Sequence, residues 1–228
     1  MILLDIEGTT TPIAFVAGIL FPYARTHLPL YLTQHADTPE SRRILASLRA
    51  EYDHDAEARR QLPDWSPWPY LAWLMDRDRK SAALKELQGF VWEEGYRDGT
   101  LVGELFPDVA AALSLWRDAA IQVGIYSSGS VRAQQWLFRC STAGDLTPLL
   151  SWHFDTTVGA KRNAASYTRI AADVCLPPGG ILFVSDVAAE LDAARQAGMA
   201  TALIVRPGNA AQPDSCHRVI SSLLDLRP

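Results

Sequence analysis

Two carboxylates, Asp5 and Glu7, stand one residue apart where the apolar run of residues 1–4 ends, and Gly8, Thr9 and Thr10 follow them. Read as a strand running into a loop, the pair projects to one face, because alternate strand residues share a face. In open α/β sheets the space beyond the carboxyl ends of the strands is where ligands bind. Two acids there repel each other and are poorly hydrated. They call for a cation, a shared proton or a reaction that uses them.

Three further polar groups follow apolar runs. Ser127, Ser128 and Gly129 come after residues 121–126, Lys161 ends the loop 156–161 after a short strand at 152–154, and Asp186 follows the apolar residues 181–184. Asp5 suits a nucleophile or a metal ligand, against a loop carboxylate that caps the next turn. Glu7 suits a general acid/base, although by itself it reads as a solvated or first-turn acid. Ser127 and Ser128 offer hydroxyls and backbone N–H groups as a phosphate cradle, against serines that only cap a helix. Lys161 could neutralise a phosphate together with Asp5, where an arbitrary lysine would lie on the surface. Asp186 could join Asp5 in a Mg²⁺ site, or act as an N-cap for the helix that begins near Ala188. Glu190 and Asp192 read as first-turn acids that complement the helix dipole. A serine nucleophile of the G-x-S-x-G type lacks its glycines, and His153 and His217 show no evident pairing. His27, His35 and His54 have no metal-ligand spacing.

These groups need elements to carry them. Strands are expected to end at Asp5, at Tyr126, at Phe154, at Val184 and at Val205, alternating with helices near 108–116, 131–137, 167–175 and 188–196. Asp108 suits the N-terminal turn of the first of these helices. Such alternation indicates βαβ units and an α/β fold with a doubly wound parallel sheet. Residues 15–100 hold no convincing strand. Helical periodicity covers 41–60, 70–76 and 81–96, and the stretch 61–69 with Trp65, Trp68 and three prolines reads as a rigid loop whose tryptophans pack rather than stack on bases. The expected organisation is a core of residues 1–14 and 101–228 with a helical insertion at 15–100. Residues 1–4 make a short strand for the centre of a sheet.

A net charge of -5 argues against a general nucleic-acid or anionic-membrane binder. The three cysteines, Cys140, Cys175 and Cys216, are odd in number and far apart, which indicates reduced structural thiols rather than a disulfide framework. No segment reads as long enough in apolar residues to span a membrane, and no signal peptide is evident, so a cytoplasmic monomer is expected.

The residues also carry a resemblance. Asp5-Ile6-Glu7-Gly8-Thr9 resembles the first motif of the haloacid dehalogenase-like hydrolases, with Glu for the usual second Asp. Tyr126 to Ser130 resembles the second motif, Lys161 the third, and Ser185-Asp186 with Glu190 the fourth. Together with Leu20-Phe21-Pro22-Tyr23-Ala24, Trp92-Glu93-Glu94-Gly95-Tyr96 and Phe154-Asp155-Thr156-Thr157, the chain is similar nearly end to end to the enolase-phosphatase (acireductone synthase) family of methionine salvage. The resemblance implies a Mg²⁺-dependent hydrolase acting on a small phosphorylated substrate, 2,3-diketo-5-methylthiopentyl-1-phosphate. It would be enolised first and then cleaved at the phosphate ester to give the acireductone. Asp5 would accept the phosphoryl group and Glu7 would protonate the leaving oxygen. Asp5, Glu7 and Asp186 would hold Mg²⁺, while Ser127, Ser128 and Lys161 would bind the substrate. The helical insertion would act as a cap, with Gln88, Gly89 and Trp92 either touching the methylthio end or only packing the cap. A phosphomonoesterase of the same fold acting on another small phosphate is the alternative. A non-catalytic binding protein is a weaker one, and a dehalogenase leaves Glu7 and Asp186 unexplained.

Overall fold

The computed structural model describes residues 1–213 and 216–226, which divide into two compact units, one of residues 1–18 with the described residues from 101 onward and one of residues 19–100. In the first unit six parallel strands form one sheet: β1 (Ile2–Leu4), β2 (Val123–Tyr126), β3 (Trp152–Phe154), β4 (Leu182–Ser185), β5 (Ala200–Ile204) and β6 (Arg218–Ile220). Their order is β3-β2-β1-β4-β5-β6, so β1 lies between β2 and β4 and the winding reverses beside it. That reversal opens a crevice at the carboxyl ends of β1 and β4.

β1 is only three residues long, yet it is paired on both sides, Leu3 with Gly124 on β2 and with Phe183 on β4. All three of its residues are buried, as a strand covered on both faces requires. The N-terminal amine donates to the Gly180 carbonyl at 2.9 Å, which ties down its start. β6 was not expected. Its sequence Arg-Val-Ile is half exposed at the sheet edge, so neither a continuous apolar run nor a clean alternation marks it.

Helices α1 (Ile13–Phe15) and α2 (Phe21–His35) join through the π-helical turn Val16–Leu20. The whole stretch Ile13–His35 is one helical run of 23 residues, long and apolar enough by length and composition alone to cross a membrane. This corrects the expectation that no segment reaches that length. Gly18 and Pro22 do not break the run: Gly18 lies within the π-helical turn, and Pro22 in the first turn of α2 that follows it directly.

The second unit contains α2 with α3 (Pro39–His54), α4 (Ala56–Gln61), α5 (Pro67–Asp76) and α6 (Ala82–Arg97). The expected single helix over 41–60 is two. Asp55 leaves the helical conformation and accepts from the N–H groups of Glu57 and Ala58 at 3.1 and 3.0 Å, ending α3 and capping α4. Such a cap contributes about 1 kcal/mol. Leu28, Ile44, Leu48, Leu71 and Leu87 fill the core of this unit, and Trp65 packs against Tyr52 and Tyr70, which is the packing role expected of the tryptophan loop. Trp92 donates its indole N–H to the Leu20 carbonyl at 2.7 Å, a packing contact.

Four more helices flank the sheet: α7 (Val109–Asp118), α8 (Val131–Arg139), α9 (Ala164–Asp173) and α10 (Ala188–Gln196). Asp108 precedes α7 but its carboxylate does not cap it. It accepts instead from Ser222 Oγ at 2.9 Å and the Leu223 N–H at 2.7 Å, and pairs with Arg206 at 3.0 Å. Cys140, Cys175 and Cys216 are free thiols.

Candidate active site

The strand that carries Asp5 stops at Leu4, so alternation within a strand does not set the directions of Asp5 and Glu7. Beyond Leu4 the chain winds up: the N–H groups of Thr9, Thr10 and Thr11 all point to the Ile6 carbonyl. Gly8 takes a φ of +71°, and Glu7 pairs with Thr11 in an isolated bridge. A side chain at Gly8 would be doubly excluded. The conformation is left-handed, and a Cβ would lie 2.3 Å from Asp186 Oδ2.

Asp5 is buried at the end of β1, its own N–H donating to Val184 of β4 at 3.0 Å. Its Oδ1 accepts from the Ile6 N–H at 2.7 Å and meets Lys161 Nζ at 2.6 Å. Lys161 Nζ reaches Glu190 Oε2 at the same distance, so one ammonium bridges two carboxylates. Ser185 Oγ, which accepts from the Val187 N–H, lies 3.3 Å from Asp5 Oδ2 and 3.1 Å from Glu190 Oε2. Its single proton serves one of them at a time.

Burial works against the charge on Lys161, but Asp5 and Glu190 outweigh it and raise the lysine above its usual range. Glu190 is also held above its ordinary value, by burial first and then by Asp5, which Lys161 and Ser185 only partly offset. Two acids therefore share one cation. Asp186 feels the shortage most: burial and the neighbouring Asp5 push its carboxyl up to about 7. A cluster of three acids and one lysine would repel a phosphate dianion unless further positive charge arrives.

Among the described residues no group of three or more Asp, Glu, His or Cys side chains is arranged to hold a metal ion by itself. Mg²⁺ asks for less. It keeps several waters and takes one or two carboxylates plus the substrate's phosphate, and the all-oxygen, cation-deficient pair Asp5 and Asp186 fits that demand.

Asp186 does not cap α10, whose N-cap is Val187 without a side-chain hydrogen bond. Of the serines after β2, Ser130 is the one that caps α8, accepting from the Ala133 N–H at 3.3 Å. Ser127 is buried and accepts from the Gly129 N–H at 3.3 Å, whereas Ser128 is exposed. Behind this loop the buried Gln134 uses both amide protons, on the Gly129 carbonyl at 3.0 Å and the Phe154 carbonyl at 2.8 Å. Its oxygen is then left to accept from His153 Nδ1 at 3.2 Å. His153 thus has a partner after all, and burial lowers its pKa. His217 is paired as well, between Thr201 Oγ1 at 2.8 Å and Asp192 Oδ1 at 3.2 Å.

Comparisons with known proteins bear on the family. A haloacid dehalogenase-like hydrolase family model matches residues 1–198. Enolase-phosphatase E1 of Synechococcus elongatus is 52% identical over 215 residues, covering 92% of this chain and 90% of that protein. The chain belongs to the enolase-phosphatase family of haloacid dehalogenase-like hydrolases. Enolase-phosphatase E1 of Pseudomonas aeruginosa is 47% identical over 226 residues, 99% of this chain and 96% of that one. The crystal structure of the Unknown transcript 4 protein of Saccharomyces cerevisiae shares 33% identity, with a TM-score of 0.79 and 99% coverage of each chain.

In this family member Glu190 does more than complement a helix dipole. It lies in the first turn of α10, as a dipole partner would, but its carboxylate is spent on Lys161. Asp192 is not in that first turn and pairs with Arg195 at 2.9 Å. Gln134 and Arg206 were also missed. Both are buried polar side chains in chain segments that carry no motif, and only their buried hydrogen bonds reveal them.

Proposed function

We propose that the chain enolises 2,3-diketo-5-methylthiopentyl-1-phosphate and then hydrolyses its phosphate ester, acting as a cytoplasmic monomer with Mg²⁺ held by the carboxylates of Asp5 and Asp186 and the backbone carbonyl of Glu7. The observation that carries the reading is the Asp5–Lys161–Glu190 bridge at the carboxyl edge of β1, an acid nucleophile fixed against a buried ammonium. Lys161 has three donors and spends two on Asp5 and Glu190, so a third is available to a phosphate oxygen. Asp5 Oδ1 is engaged by Lys161 and the Ile6 N–H. Oδ2 has only the longer contact to Ser185, and a turn of that hydroxyl toward Glu190 frees it to attack phosphorus. The bond from phosphorus to the substrate oxygen breaks, and Glu7 gives that oxygen its proton. Water then attacks the aspartyl-phosphate, Glu7 takes the proton back, and phosphate leaves. Ser127, Ser128 and Lys161 hold the phosphoryl oxygens through both transfers. When bound, Mg²⁺ supplies the missing positive charge and polarises the oxygens around the reacting carbonyl and phosphoryl groups.

The decisive experiment is turnover of the diketo phosphate with and without Mg²⁺, followed by absorbance for the enol and by phosphate release. Wild type should show the enol before phosphate, only with Mg²⁺, and Glu7→Gln should slow ester cleavage. Phosphate release with no enol would reduce the reading to a plain phosphomonoesterase. Unchanged rates of both steps in Glu7→Gln would remove Glu7 from the mechanism.

The raised Asp186 carboxyl gives a second check. Between about pH 4, where an unfolded aspartate loses its proton, and about pH 7, the folded chain still holds it. The native state binds more protons there, so this group's contribution to metal-free stability falls as pH rises through that window. Mg²⁺ needs the carboxylate, so its apparent affinity should weaken about tenfold per pH unit below 7. The rise in Tm on adding Mg²⁺ should therefore be larger at pH 8 than at pH 6, and Asp186→Asn should flatten the difference. Equal shifts at both pH values in the wild type would contradict this assignment.

A further inference from the structure

We propose that Arg206, held by Asp108, is a positioning residue that sets the loop carrying Glu7 against the Asp186 carboxylate, an inference that rests on the function proposed above. Arg206 is a fully charged side chain buried in a segment to which the mechanism assigns nothing. Its Nε and Nη2 both donate to the Thr9 carbonyl, at 3.2 and 3.1 Å, and its Nη1 reaches the Ser221 carbonyl at 3.2 Å and Asp108 Oδ2 at 3.0 Å. The guanidinium also lies over the Phe106 ring, 4.5 Å from its centre.

The neighbouring bonds form a pattern. Gly8, Thr9 and Thr10 present three successive carbonyls, and each is held from outside the loop: Gly8 by Asn209 Nδ2 at 2.9 Å, Thr9 by Arg206, Thr10 by the Phe106 N–H at 2.9 Å. Arg206 links the middle carbonyl to a carboxylate that is itself fixed to the Ser222–Leu223 turn. Burial alone would raise the Asp108 carboxyl, but the bonds from Arg206, Leu223 and Ser222 and the charge of Arg206 hold it below its ordinary range. It therefore stays ionised as the anchor.

What is held in this way is the backbone directly after Glu7, and Gly8 is so close to Asp186 that no Cβ fits between them. A small drift of this loop would move Glu7 relative to Asp186 and Asp5. A lysine would not substitute, because a single ammonium cannot place two donors on one carbonyl while facing the Asp108 carboxylate.

The test uses the full chain. Arg206→Lys keeps the charge, and the double variant Arg206→Met with Asp108→Asn removes the pair without leaving a buried charge alone. In both, hydrogen–deuterium exchange of the segment 5–12 should rise while exchange of β4 and β5 stays as in the wild type. Titration with Mg²⁺ alone should show an affinity about 10- to 100-fold weaker. The kcat for phosphate release should fall by a similar factor with KM within about twofold. Guanidinium ion should partly restore Arg206→Ala. As a structural control, Trp116→Phe removes another buried hydrogen bond of the C-terminal segment, from Trp116 Nε1 to the Leu226 carbonyl at 3.0 Å, and should leave Mg²⁺ affinity and kcat unchanged. Unchanged exchange over 5–12 in the double variant would overturn the proposal, as would Mg²⁺ affinity and kcat lowered equally in Trp116→Phe. If the wild type released phosphate without forming an enol, the function would need revision, while the exchange and Mg²⁺ readouts would still decide the role of Arg206.

Discussion

Asp5→Asn should abolish phosphate release, lowering kcat by about 10⁴-fold or more while the chain remains folded. The carboxamide cannot attack phosphorus, and no other carboxylate replaces it, because Glu190 is already held by Lys161 at 2.6 Å. The fold should tolerate the change, since Lys161 keeps Glu190 and the Asn side-chain oxygen can still accept from the Ile6 N–H. The substitution also has an electrostatic signature. The charge on Asp5 is one reason that Asp186 is pushed up to about 7 and that Glu190 stands above its ordinary value. Without it, both carboxyls should ionise at lower pH, which carboxyl ¹³C shifts across a pH series would record. Phosphate release within tenfold of wild type, in a chain free of contaminating phosphatase, would remove Asp5 as the nucleophile. An unmoved Asp186 titration would mean that the two acids are not neighbours.

Lys161→Met should be the most destabilising single change in the site. Lys161 is buried between Asp5 and Glu190, and its loss leaves two buried carboxylates without their cation. Breaking a buried ion pair in this way costs about 3–5 kcal/mol. The cost should depend on pH in a definite direction. Lys161 is one of the groups that hold the Glu190 carboxyl down; without it Glu190 rises further above its unfolded value, so the variant regains stability by taking up a proton in acid and loses it as pH rises. Urea unfolding should show the full deficit at pH 8 and a much smaller one at pH 5. Adding Glu190→Gln should recover part of the loss at pH 8, because only Asp5 is then left as a buried carboxylate without its cation. A deficit below about 1 kcal/mol at pH 8 would mean that water, not Lys161, balances these charges. Activity should be lost as well, since the same ammonium is the phosphate's fixed cation.

The strand ends were legible in the chain because each is a change of chemistry over one or two residues. Apolar runs that must be buried on both faces of a parallel sheet stop at Asp5, Ser127 and Asp186, and the sheet brings those stops to one edge. Lys161 was legible from its place in the loop after a short strand, but a loop lysine has no local pattern that tells a buried cation from a surface one. The helical unit was legible as helix, but its breaks were not. Asp55 reads as one more polar residue on a helix face until its carboxylate is seen capping the next helix, and Pro22 reads as a stop until it is found in a first turn.

What the sequence alone determined, then, is which residues the sheet carries to its carboxyl edge. Residue type and the position of a strand end are local properties. Pairing is not, and it was the tertiary structure that decided it. Glu190 has the same local signal whether it faces solvent at a helix start or a buried ammonium. Asp108 reads as an acid suited to the N-terminal turn of a helix; it stands at the start of α7, but its carboxylate is the counter-ion of Arg206, a partner from the far end of the chain. The loop after Asp5 is fixed by three donors from distant segments, because its own backbone, wound on the Ile6 carbonyl, cannot hold its outward carbonyls by itself. Asp5 and Glu7 were identifiable as acids at a strand end. That one is bound to a lysine, and that the other sits on a loop held by a buried arginine, follows from contacts that exist only once the chain has folded.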